Sequence, residues 1–482
     1  AEIDPENGKD IVTTIDTYIQ DVAENALLKM MTENNSLHGT CIVMEVKTGK
    51  IKAIANLGRL PDGQYWEDYN YGLGKRTEPG SVFKLTTLLA LLEDKYVDTS
   101  TIVDCEGGAK SFYGLMIRDS HKGTGRVTVK EAFAMSSNVA FAKLADQFYH
   151  NQPSKYINYL KHLRLNKRSG IDIMGTAAPY IKEPSSKYWA KTTIPFMAHG
   201  YEELVTPLQM MMVYNAVANG GKMMRPYLVN SIDELGTTVK EFHPEVLVDK
   251  IASDATIAKA KSCLLEVVES KHGTARALKS DQYLFAGKTG TAVTAMDNKG
   301  YNKSNKIYQS AFMGFFPYDN PEYTIAVVIQ NGRDSKWAYG GTVAGPVFRE
   351  VADKIYATRI ARTPVSGMWV RNTTSISKMA GMTSDLNNLF TTLNYSQDQI
   401  RKSQEWTSLY MENTAIRNLE NPVGGGKSVV PDVTGMGLKD ALYLLENMGL
   451  KVSFSGRGKV ANQSLAANSI FKKGETINLA LN

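Results

Sequence analysis

The chain has 482 residues, of which 43% are hydrophobic, so it can form two or three domains around a large buried core. Its 55 lysines and arginines against 49 aspartates and glutamates give a net charge of +6, and no basic run occurs, which argues against nucleic acid as a partner. No stretch of eighteen or more apolar residues occurs, so we expect no membrane-spanning helix and a soluble chain.

The first predicted elements are a strand, a helix and a hairpin. The stretch DIVTTID favours a strand, and TYIQDVAENALLKMM favours a helix. The run CIVMEVKTGKIKAIAN has apolar segments on either side of Lys47, Thr48 and Gly49, which predicts two strands joined by a turn.

A serine and a lysine one helical turn apart follow, at Ser81 and Lys84. Pro79 and Gly80 interrupt any preceding structure, and the apolar run after Ser81 predicts a buried helix with Ser81 in its first turn. Residues three apart share one face of a helix, so the Lys84 amine can lie beside the Ser81 hydroxyl. A serine needs a neighbouring base to act as a nucleophile, and a lysine can serve once desolvation or nearby positive charge lowers its pKa.

An S-x-N triplet comes next, at Ser136, Ser137 and Asn138. The surrounding stretch TVKEAFAMSSNVAFAKLADQFY predicts two helices that meet at the serines, the first opened by a capping box of Thr128 and Glu131. Ser136 can therefore be interpreted either as a catalytic group or as a helix cap.

A K-T-G triplet at Lys288, Thr289 and Gly290 is the third motif in chain order. The region before it is mainly helical and includes a helix that begins at Thr206 and Pro207, whereas YQSAFMGFFP and YTIAVVIQNG after it predict two strands. Strands at both ends with helices between them favour a mixed α/β fold, in which one antiparallel sheet is covered by helices on both faces. The K-T-G triplet would lie on a strand that borders the cleft.

Each motif taken alone is weak evidence for a catalytic site. Ser375 and Ser469 also begin S-x-x-K matches, and K-T-G occurs a second time in the predicted hairpin. Lys288 can be a solvated strand lysine, and a threonine such as Thr291 is common in strands. A phosphate loop is rejected, because Gln282 stands where its first glycine is needed. The order of the three motifs along the chain is what supports the assignment.

The cysteines and histidines point away from other kinds of site. Cys41, Cys105 and Cys263 are an odd number without a C-x-x-C pair, so we predict three reduced, buried thiols and no disulfide. The seven histidines include no H-E-x-x-H, and no G-x-S-x-G occurs, so metal hydrolases and α/β-hydrolases lose their usual support. We expect neither a metal nor a cofactor.

The C-terminal part changes character after residue 361. Residues 362–427 are polar and end in three glycines, which predicts a linker with local helix, for example over SQDQIRKSQEWTSLYMEN, and a flexible end. Residues 428–482 predict a small α+β domain that has a strand, a helix ended by Gly449, and three further strands.

The three motifs in this order resemble the signatures of the penicillin-recognising serine acyltransferases. The stretches NGKDIVTTID, TEPGSVFK, VTPLQMMMVYNAVANGG, AGKTGTA and YGGTVAGPVF are similar to class B penicillin-binding proteins, the monofunctional cell-wall transpeptidases. Residues 428–482 resemble a PASTA domain, although Leu465 stands where many members have a proline, so a structural or docking role is at least as well supported as binding of wall fragments. The resemblance implies the penicillin-binding transpeptidase fold for residues 1–361.

The resemblance also implies roles for the motif residues in acyl transfer. Ser81 would be the acylated nucleophile and Lys84 its general base. Ser136 would relay a proton to the leaving group, and Asn138 would bind the peptide amide of the substrate. The donor would be a peptidoglycan stem peptide that ends in D-Ala-D-Ala, and β-lactam antibiotics would acylate the same serine.

The K-T-G strand would bind the rest of the substrate. Lys288 would keep the site electropositive, while Thr289, Gly290 and Thr291 would hold the terminal carboxylate. The backbone N–H groups of Ser81 and Thr291 would form the oxyanion hole.

Class B relatives imply a setting for the chain. They carry a membrane helix and a pedestal domain ahead of the catalytic domain, and the start of this chain is similar to the end of that pedestal. We therefore expect a parent anchored in the cell membrane by an upstream segment, with the catalytic domain on the extracytoplasmic side. The PASTA-like tail together with the T-E-P-G-S-x-F-K context resembles the division-specific, septal branch more than the elongation branch, which implies a membrane-embedded glycosyltransferase and divisome proteins as partners.

Two alternatives to a transpeptidase remain open at the level of sequence. One is a β-lactam sensor or receptor that is acylated once and signals. The other is a hydrolase, either a D,D-carboxypeptidase or a β-lactamase, in which water replaces the amine acceptor. The residues that perform acylation are common to all of these.

Overall fold

The computed structural model describes residues 8–120, 123–295, 306–361, 377–392, 406–412, 415–418 and 428–482. The chain divides into two compact units, Ala1–Pro364 and Val365–Asn482. In these described ranges, no helix combines the length and the apolar character needed to cross a membrane.

The first unit alternates strands and helices along the chain. Its strands are β1 (Asp10–Thr13), β2 (Ser36–Glu45), β3 (Ile51–Arg59), β4 (Tyr65–Trp66), β5 (Ile102–Asp104), β6 (Ala109–Phe112), β7 (Leu115–Arg118), β8 (Arg126–Thr128), β9 (Met223–Met224), β10 (Val229–Glu234), β11 (Thr237–Glu241), β12 (Val246–Val248), β13 (Ala286–Ala295), β14 (Lys306–Phe316) and β15 (Tyr323–Asn331). Its helices are α1 (Thr17–Asn34), α2 (Tyr71–Gly74), α3 (Lys84–Glu93), α4 (Val129–Ala134), α5 (Asn138–Tyr149), α6 (Pro153–His162), α7 (Thr193–Met197), α8 (Pro207–Ala218), α9 (Asp254–Glu269) and α10 (Ala344–Ile355).

A six-stranded antiparallel sheet forms the centre of this unit. Its strand order is β13-β14-β15-β2-β3-β4, so strands from the two ends of the unit are neighbours. All nine residues of β15 are buried, and because successive side chains point to opposite faces, this strand is covered on both sides. Helices α8 and α10 contact β15, and α1 contacts β2 and β3. The predicted antiparallel sheet with helices on both faces is therefore confirmed.

A group of helices lies beside the edge strand β13. Helix α9 contacts β13, α4 and α3, while α5 contacts α3 and α4. Apolar side chains from all four helices, among them Leu88, Phe133, Phe141 and Leu264, are fully buried in the same core as the sheet. This packing brings the start of α3, the start of α5 and strand β13 to one place.

Several local predictions are confirmed. The N-terminal strand and helix are β1 and α1, and β2 and β3 form the predicted hairpin around Gly49, whose φ is +84°. Thr206 caps α8 through a capping box with Gln209 and has Pro207 as its first residue. Strands β14 and β15 follow β13 as an antiparallel pair, and the K-T-G triplet lies on the edge strand β13. The three cysteines are free and buried.

The second unit corrects the predicted helix over SQDQIRKSQEWTSLYMEN. It contains β16 (Ser377–Met382), α11 (Thr383–Thr392), β17 (Trp406–Glu412) and β18 (Ala415–Asn418), and β17 pairs antiparallel with both β16 and β18. The predicted helix is wrong over β17, because pairing on both edges and burial of Trp406 and Thr407 override a polar sequence with helical residues. The rest of that stretch lies outside the described residues, as do the three glycines at 424–426.

Two residues from β16 and β17 share a core with the C-terminal module. Ala380 and Trp406 belong to one buried cluster with Val430, Val433 and Met436, and Ala380 also forms a β-bridge with Met436. These described residues therefore pack as part of the second unit.

The C-terminal module agrees with most of its predicted elements. It has α12 (Leu438–Asn447), β19 (Lys451–Ser455), β20 (Val460–Gln463) and β21 (Thr476–Leu481), with Gly449 after the helix at a φ of +92°. The predicted first strand is reduced to a single bridge between Val429 and Ile470.

Asn215 joins α8 to the sheet and provides a test of this packing. It is fully buried, its side-chain amide donates to Val46 O at 3.1 Å, and its Oδ1 accepts from the Thr324 hydroxyl at 2.9 Å. Asn215→Ala leaves both partners buried without a hydrogen bond, so we expect a loss of about 2 to 4 kcal/mol in the unfolding free energy of the first unit, measured by chemical denaturation. Asn25→Ala, at an exposed position of α1, should change it by less than about 0.5 kcal/mol. Equal effects of the two changes would contradict this account of α8.

Candidate active site

Ser81 lies in a 3-10 turn, Gly80–Phe83, that leads directly into α3. This turn rests on strand β13. A Cβ atom on Gly80 would be 2.9 Å from the Ala292 Cβ, and one on Gly290 would be 3.0 Å from Val82 Cγ1. Because Gly80 contacts Ala292 and Val82 contacts Gly290, Ser81 lies alongside Thr291. Gly290 therefore allows the close approach of the turn and the strand, a role that the motif alone did not predict.

The turn is also held from two other sides. Gly80 N–H donates to Gly200 O at 3.0 Å, and any side chain on Gly200 would collide with Gly80 O. The hydroxyl of Tyr214, on the buried helix α8, donates to Val82 O at 2.8 Å. The position of Ser81 is thus fixed by a strand, a helix and a loop that are distant in sequence.

The amine of Lys84 is the centre of the site. It is fully buried, and four oxygens surround its Nζ: Ser81 Oγ at 2.9 Å, Ser136 O at 2.8 Å, Ser136 Oγ at 3.1 Å and Asn138 Oδ1 at 2.6 Å. The S-x-x-K and S-x-N motifs therefore meet at this amine. An uncharged Lys84 has a lone pair that can accept the proton of the Ser81 hydroxyl.

Burial lowers the pKa of Lys84 to about 7, even though the charge of Asp119 acts in the opposite direction. The uncharged form of Lys84 is therefore accessible near neutral pH. A group with this pKa can both accept a proton and return it near pH 7, which is the property that a general base needs.

The S-x-N triplet lies between α4 and α5, and its middle residue is the helix cap. Ser137 Oγ accepts from Ala140 N–H at 3.0 Å, so Ser137 is the N-cap of α5. Ser136 has a left-handed φ of +61°, and its hydroxyl lies within hydrogen-bond distance of the Lys84 amine. The capping alternative for Ser136 is wrong.

Lys288 lies in the interior of the site. It is fully buried, its Nζ donates to Thr289 O at 3.0 Å, and it lies 5.7 Å from the centre of the Phe133 ring. Burial lowers the pKa of Lys288 well below its ordinary value, and the charge of Lys84 lowers it further. Two buried amines of like charge disfavour each other, so the charged form of Lys84 favours the uncharged form of Lys288.

The two threonines after Lys288 already have hydrogen-bond partners. Thr289 Oγ1 lies 2.6 Å from Thr274 Oγ1, and Thr291 Oγ1 accepts from Gly340 N–H at 3.1 Å. A side chain on Gly340 would collide with Gly290 O. The loop that carries Gly340 therefore lies directly against the K-T-G strand.

Several residues of the site were not identified from the sequence. Asp119 accepts a hydrogen bond from the main-chain N–H of Asn138, and the Thr274 hydroxyl shares a hydrogen bond with the Thr289 hydroxyl. His199 is buried, neither ring nitrogen has a hydrogen-bond partner within the described ranges, and burial together with the charge of Lys84 lowers its pKa to about 3. None of these residues belongs to a short motif, so spacing gave no signal for them.

The low pKa of Lys84 can be measured directly. In protein that carries ¹³C at lysine Cε, we expect one resonance to titrate near pH 7 because of burial, whereas the ordinary pKa of a lysine amine in water is about 10.4. The low-pH titration should be lost in Lys84→Gln. If no lysine resonance that disappears in this variant titrates below about pH 9, the electrostatic description of the site is wrong.

Comparison with known proteins agrees with this geometry. Residues 39–353 match the family model of the penicillin binding protein transpeptidase domain, and residues 428–482 match that of the PASTA domain. Stage V sporulation protein D of Bacillus subtilis is 27% identical over 489 residues, which cover 99% of this chain and 66% of that protein. A probable peptidoglycan D,D-transpeptidase, PbpC of Pseudomonas aeruginosa, is 26% identical over 353 residues, which cover 72% of this chain and 58% of that protein.

A solved structure, the transpeptidase domain of Burkholderia pseudomallei penicillin-binding protein 3, matches with a TM-score of 0.60 and 25% identity, and the match covers 72% of this chain and 96% of that domain. The chain spans between about half and two thirds of the length of the first curated relatives that it matches. Because the transpeptidase model covers most of the sequence and includes all three motifs, the chain belongs to the penicillin-binding protein transpeptidase family.

Proposed function

We propose that this protein is a class B penicillin-binding protein, a peptidoglycan D,D-transpeptidase that cross-links stem peptides through an acyl-enzyme on Ser81. The observation that carries the proposal is the arrangement of the Ser81, Ser136 and Asn138 side chains around the buried amine of Lys84. The name of the relative from Pseudomonas aeruginosa, a probable peptidoglycan D,D-transpeptidase, supports the reaction class.

Acylation begins at the uncharged Lys84 amine. Lys84 takes the proton from Ser81 Oγ, and the oxygen attacks the carbonyl carbon of the penultimate D-Ala of the donor. The C–N bond to the last D-Ala then breaks, and Ser136, 3.1 Å from Lys84 Nζ, passes the proton on to the departing nitrogen. The products are a free D-Ala and an ester on Ser81. A β-lactam follows the same course, but its ring nitrogen stays attached to the acyl group.

The backbone beside Ser81 stabilises the oxygen that becomes negative. The turn of Ser81 lies alongside Thr291 on the edge strand β13, and the N–H groups of these two residues form the oxyanion hole in our proposal. The start of α3 adds a favourable dipole at the same position.

The carboxylate at the end of the donor binds near Lys288, Thr289 and Thr291. Burial and the charge of Lys84 hold the pKa of Lys288 low in the free protein. An incoming carboxylate supplies the opposite charge and favours protonated Lys288, so that the site prefers anionic ligands. This complementarity applies equally to stem peptides and to β-lactams, which carry a carboxylate.

The acyl group then passes to an amine of a neighbouring stem. In the hydrolase alternative, a D,D-carboxypeptidase or a β-lactamase, water would need its own base. Asp119 is the carboxylate whose charge acts on Lys84, and both of its oxygens already accept hydrogen bonds. Asp119 is thus engaged in structural hydrogen bonds, and the fate of acylated Ser81 distinguishes the transpeptidase from a hydrolase and from a β-lactam receptor.

The setting that we propose is the extracytoplasmic side of the cell membrane, to which a segment upstream of this chain would anchor the protein. A membrane-embedded glycosyltransferase and divisome proteins are the proposed partners. A role in septal wall synthesis is supported by a relative named FtsI, which is 23% identical over 353 residues. Wall synthesis in sporulation is a second candidate, because the relative that matches 99% of the chain is named for sporulation.

The proposal is tested by intact mass after incubation with benzylpenicillin. We expect one covalent adduct on the wild-type protein that persists for hours, and none on Ser81→Ala, because the Ser81 hydroxyl is the nucleophile that the buried Lys84 amine activates in our proposal. Ser469→Ala is the matched control, since Ser469 and Lys472 repeat the S-x-x-K spacing in the C-terminal module; its adduct should equal that of the wild type. An adduct that survives Ser81→Ala would overturn the assignment, and rapid loss of the adduct would indicate a hydrolase.

A further inference from the structure

A hairpin lies beside the active site, and the residues at its C-terminal end contact the S-x-N triplet. It consists of β6 and β7, joined by Tyr113 and Gly114, and its apolar face packs on α5. Phe112 and Ile117 of the hairpin form a small buried cluster with Val139 and Ala142 of that helix. The hairpin is thus attached to the helix whose first residue is Asn138.

Asp119, the residue after β7, accepts three hydrogen bonds from the S-x-N triplet and from the start of α5. Its Oδ1 accepts from Asn138 N–H at 2.6 Å and from Val139 N–H at 2.9 Å, and its Oδ2 accepts from the Ser137 hydroxyl at 2.7 Å. A carboxylate that meets the first N–H groups of a helix is stabilised by the helix dipole as well as by these bonds. The main chain of the triplet is therefore fixed by one side chain.

Arg118, the residue before Asp119, orients the side chain of Asn138. The Asn138 Nδ2 donates to Arg118 O at 2.8 Å, so that the Asn138 Oδ1 is directed at Lys84 Nζ, 2.6 Å away. Arg118 and Asp119 together fix both the backbone and the amide of Asn138.

The triplet requires such support because its first residue has an unfavourable backbone. Ser136 has a φ of +61°, a conformation that residues other than glycine seldom adopt. The same residue presents two oxygens to Lys84. If the triplet relaxed, both oxygens would move away from the amine.

We propose that Asp119 is a positioning residue for the reaction of Ser81: its carboxylate holds the S-x-N triplet in place, and so sets Ser136 and Asn138 against Lys84. This inference rests on the proposed acylation of Ser81. It adds to that proposal a residue outside the three motifs, which is not itself in contact with Ser81 or Lys84 through a hydrogen bond.

The charge of Asp119 gives the proposal a second consequence. The groups that act electrostatically with Lys84 are Asp119, Lys288 and His199, and Asp119 is the one that raises its pKa. Removal of this negative charge makes protonated Lys84 less favourable. Since acylation requires uncharged Lys84, its rate rises with pH through the pKa of Lys84, and without Asp119 this rise should occur at lower pH.

The test is the second-order rate constant for acylation of the full chain by a chromogenic cephalosporin, measured from pH 5 to 9. We expect Asp119→Asn to lower the plateau at least about tenfold and to move the midpoint down by roughly half a pH unit or more. Asp119→Glu keeps the charge but displaces the carboxylate, so its plateau should fall while its midpoint stays at the wild-type value. Asp146→Asn is the matched control: it removes a carboxylate charge from α5, where Asp146 accepts from the Tyr113 hydroxyl at the hairpin tip, and it should change neither quantity.

The outcomes separate the two proposals. If Asp119→Asn shows the wild-type plateau of the rate constant and the wild-type pH midpoint, the positioning role is wrong, while acylation of Ser81 stands. A lower plateau without any change of midpoint in a variant that unfolds at the wild-type temperature would overturn the electrostatic part. If Asp119→Asn is unfolded, Asp119→Glu decides, because a wild-type plateau there contradicts positioning. Failure of the wild-type protein to react at Ser81 would overturn the proposed function itself.

Discussion

Removal of the Lys84 amine from water is the constraint on which the site depends. An ammonium group without solvent must be surrounded by oxygens or lose its proton, and here four oxygens from two motifs surround it, while burial brings its pKa to about 7. The same burial places a second amine, Lys288, in the interior. In the proposed function, the low pKa of Lys84 allows it to take the proton of Ser81, and an anionic ligand favours protonation of Lys288.

The fold provides this environment by joining distant parts of the chain. Strand β15 pairs with β2, so the C-terminal strands, which include the K-T-G strand, are continuous with the N-terminal hairpin in one sheet. The helical region between them supplies Ser81, Lys84 and the S-x-N triplet. Four glycines around the site, Gly80, Gly200, Gly290 and Gly340, allow neighbouring segments to approach closely, since a Cβ atom at any of them would lie within 3.0 Å of another segment.

Much of the fold could be predicted because local patterns and tertiary packing agree. The capping boxes at Thr128 and Thr206, the hairpin at Gly49 and the strands after Lys288 each carry a recognised signal. The role of Gly290 depends on its contact with the remote Val82, and the sequence does not show which of the two adjacent serines, Ser136 or Ser137, caps α5. Asp119 and His199 carry no local signal at all. Strand β17 was mistaken for a helix, because its pairing partners and buried side chains, not its composition, decide its structure.

The most direct measurement is the fate of the acyl group when both water and an amine are available. The protein would be incubated with a stem-peptide donor ending in D-Ala-D-Ala and an acceptor carrying the side-chain amine of a second stem, and the products would be separated by mass spectrometry. A transpeptidase yields the cross-linked peptide together with one D-Ala per bond formed, and both depend on Ser81 and Lys84. Release of D-Ala with only the shortened, hydrolysed donor as the second product, at every acceptor concentration, would contradict this account.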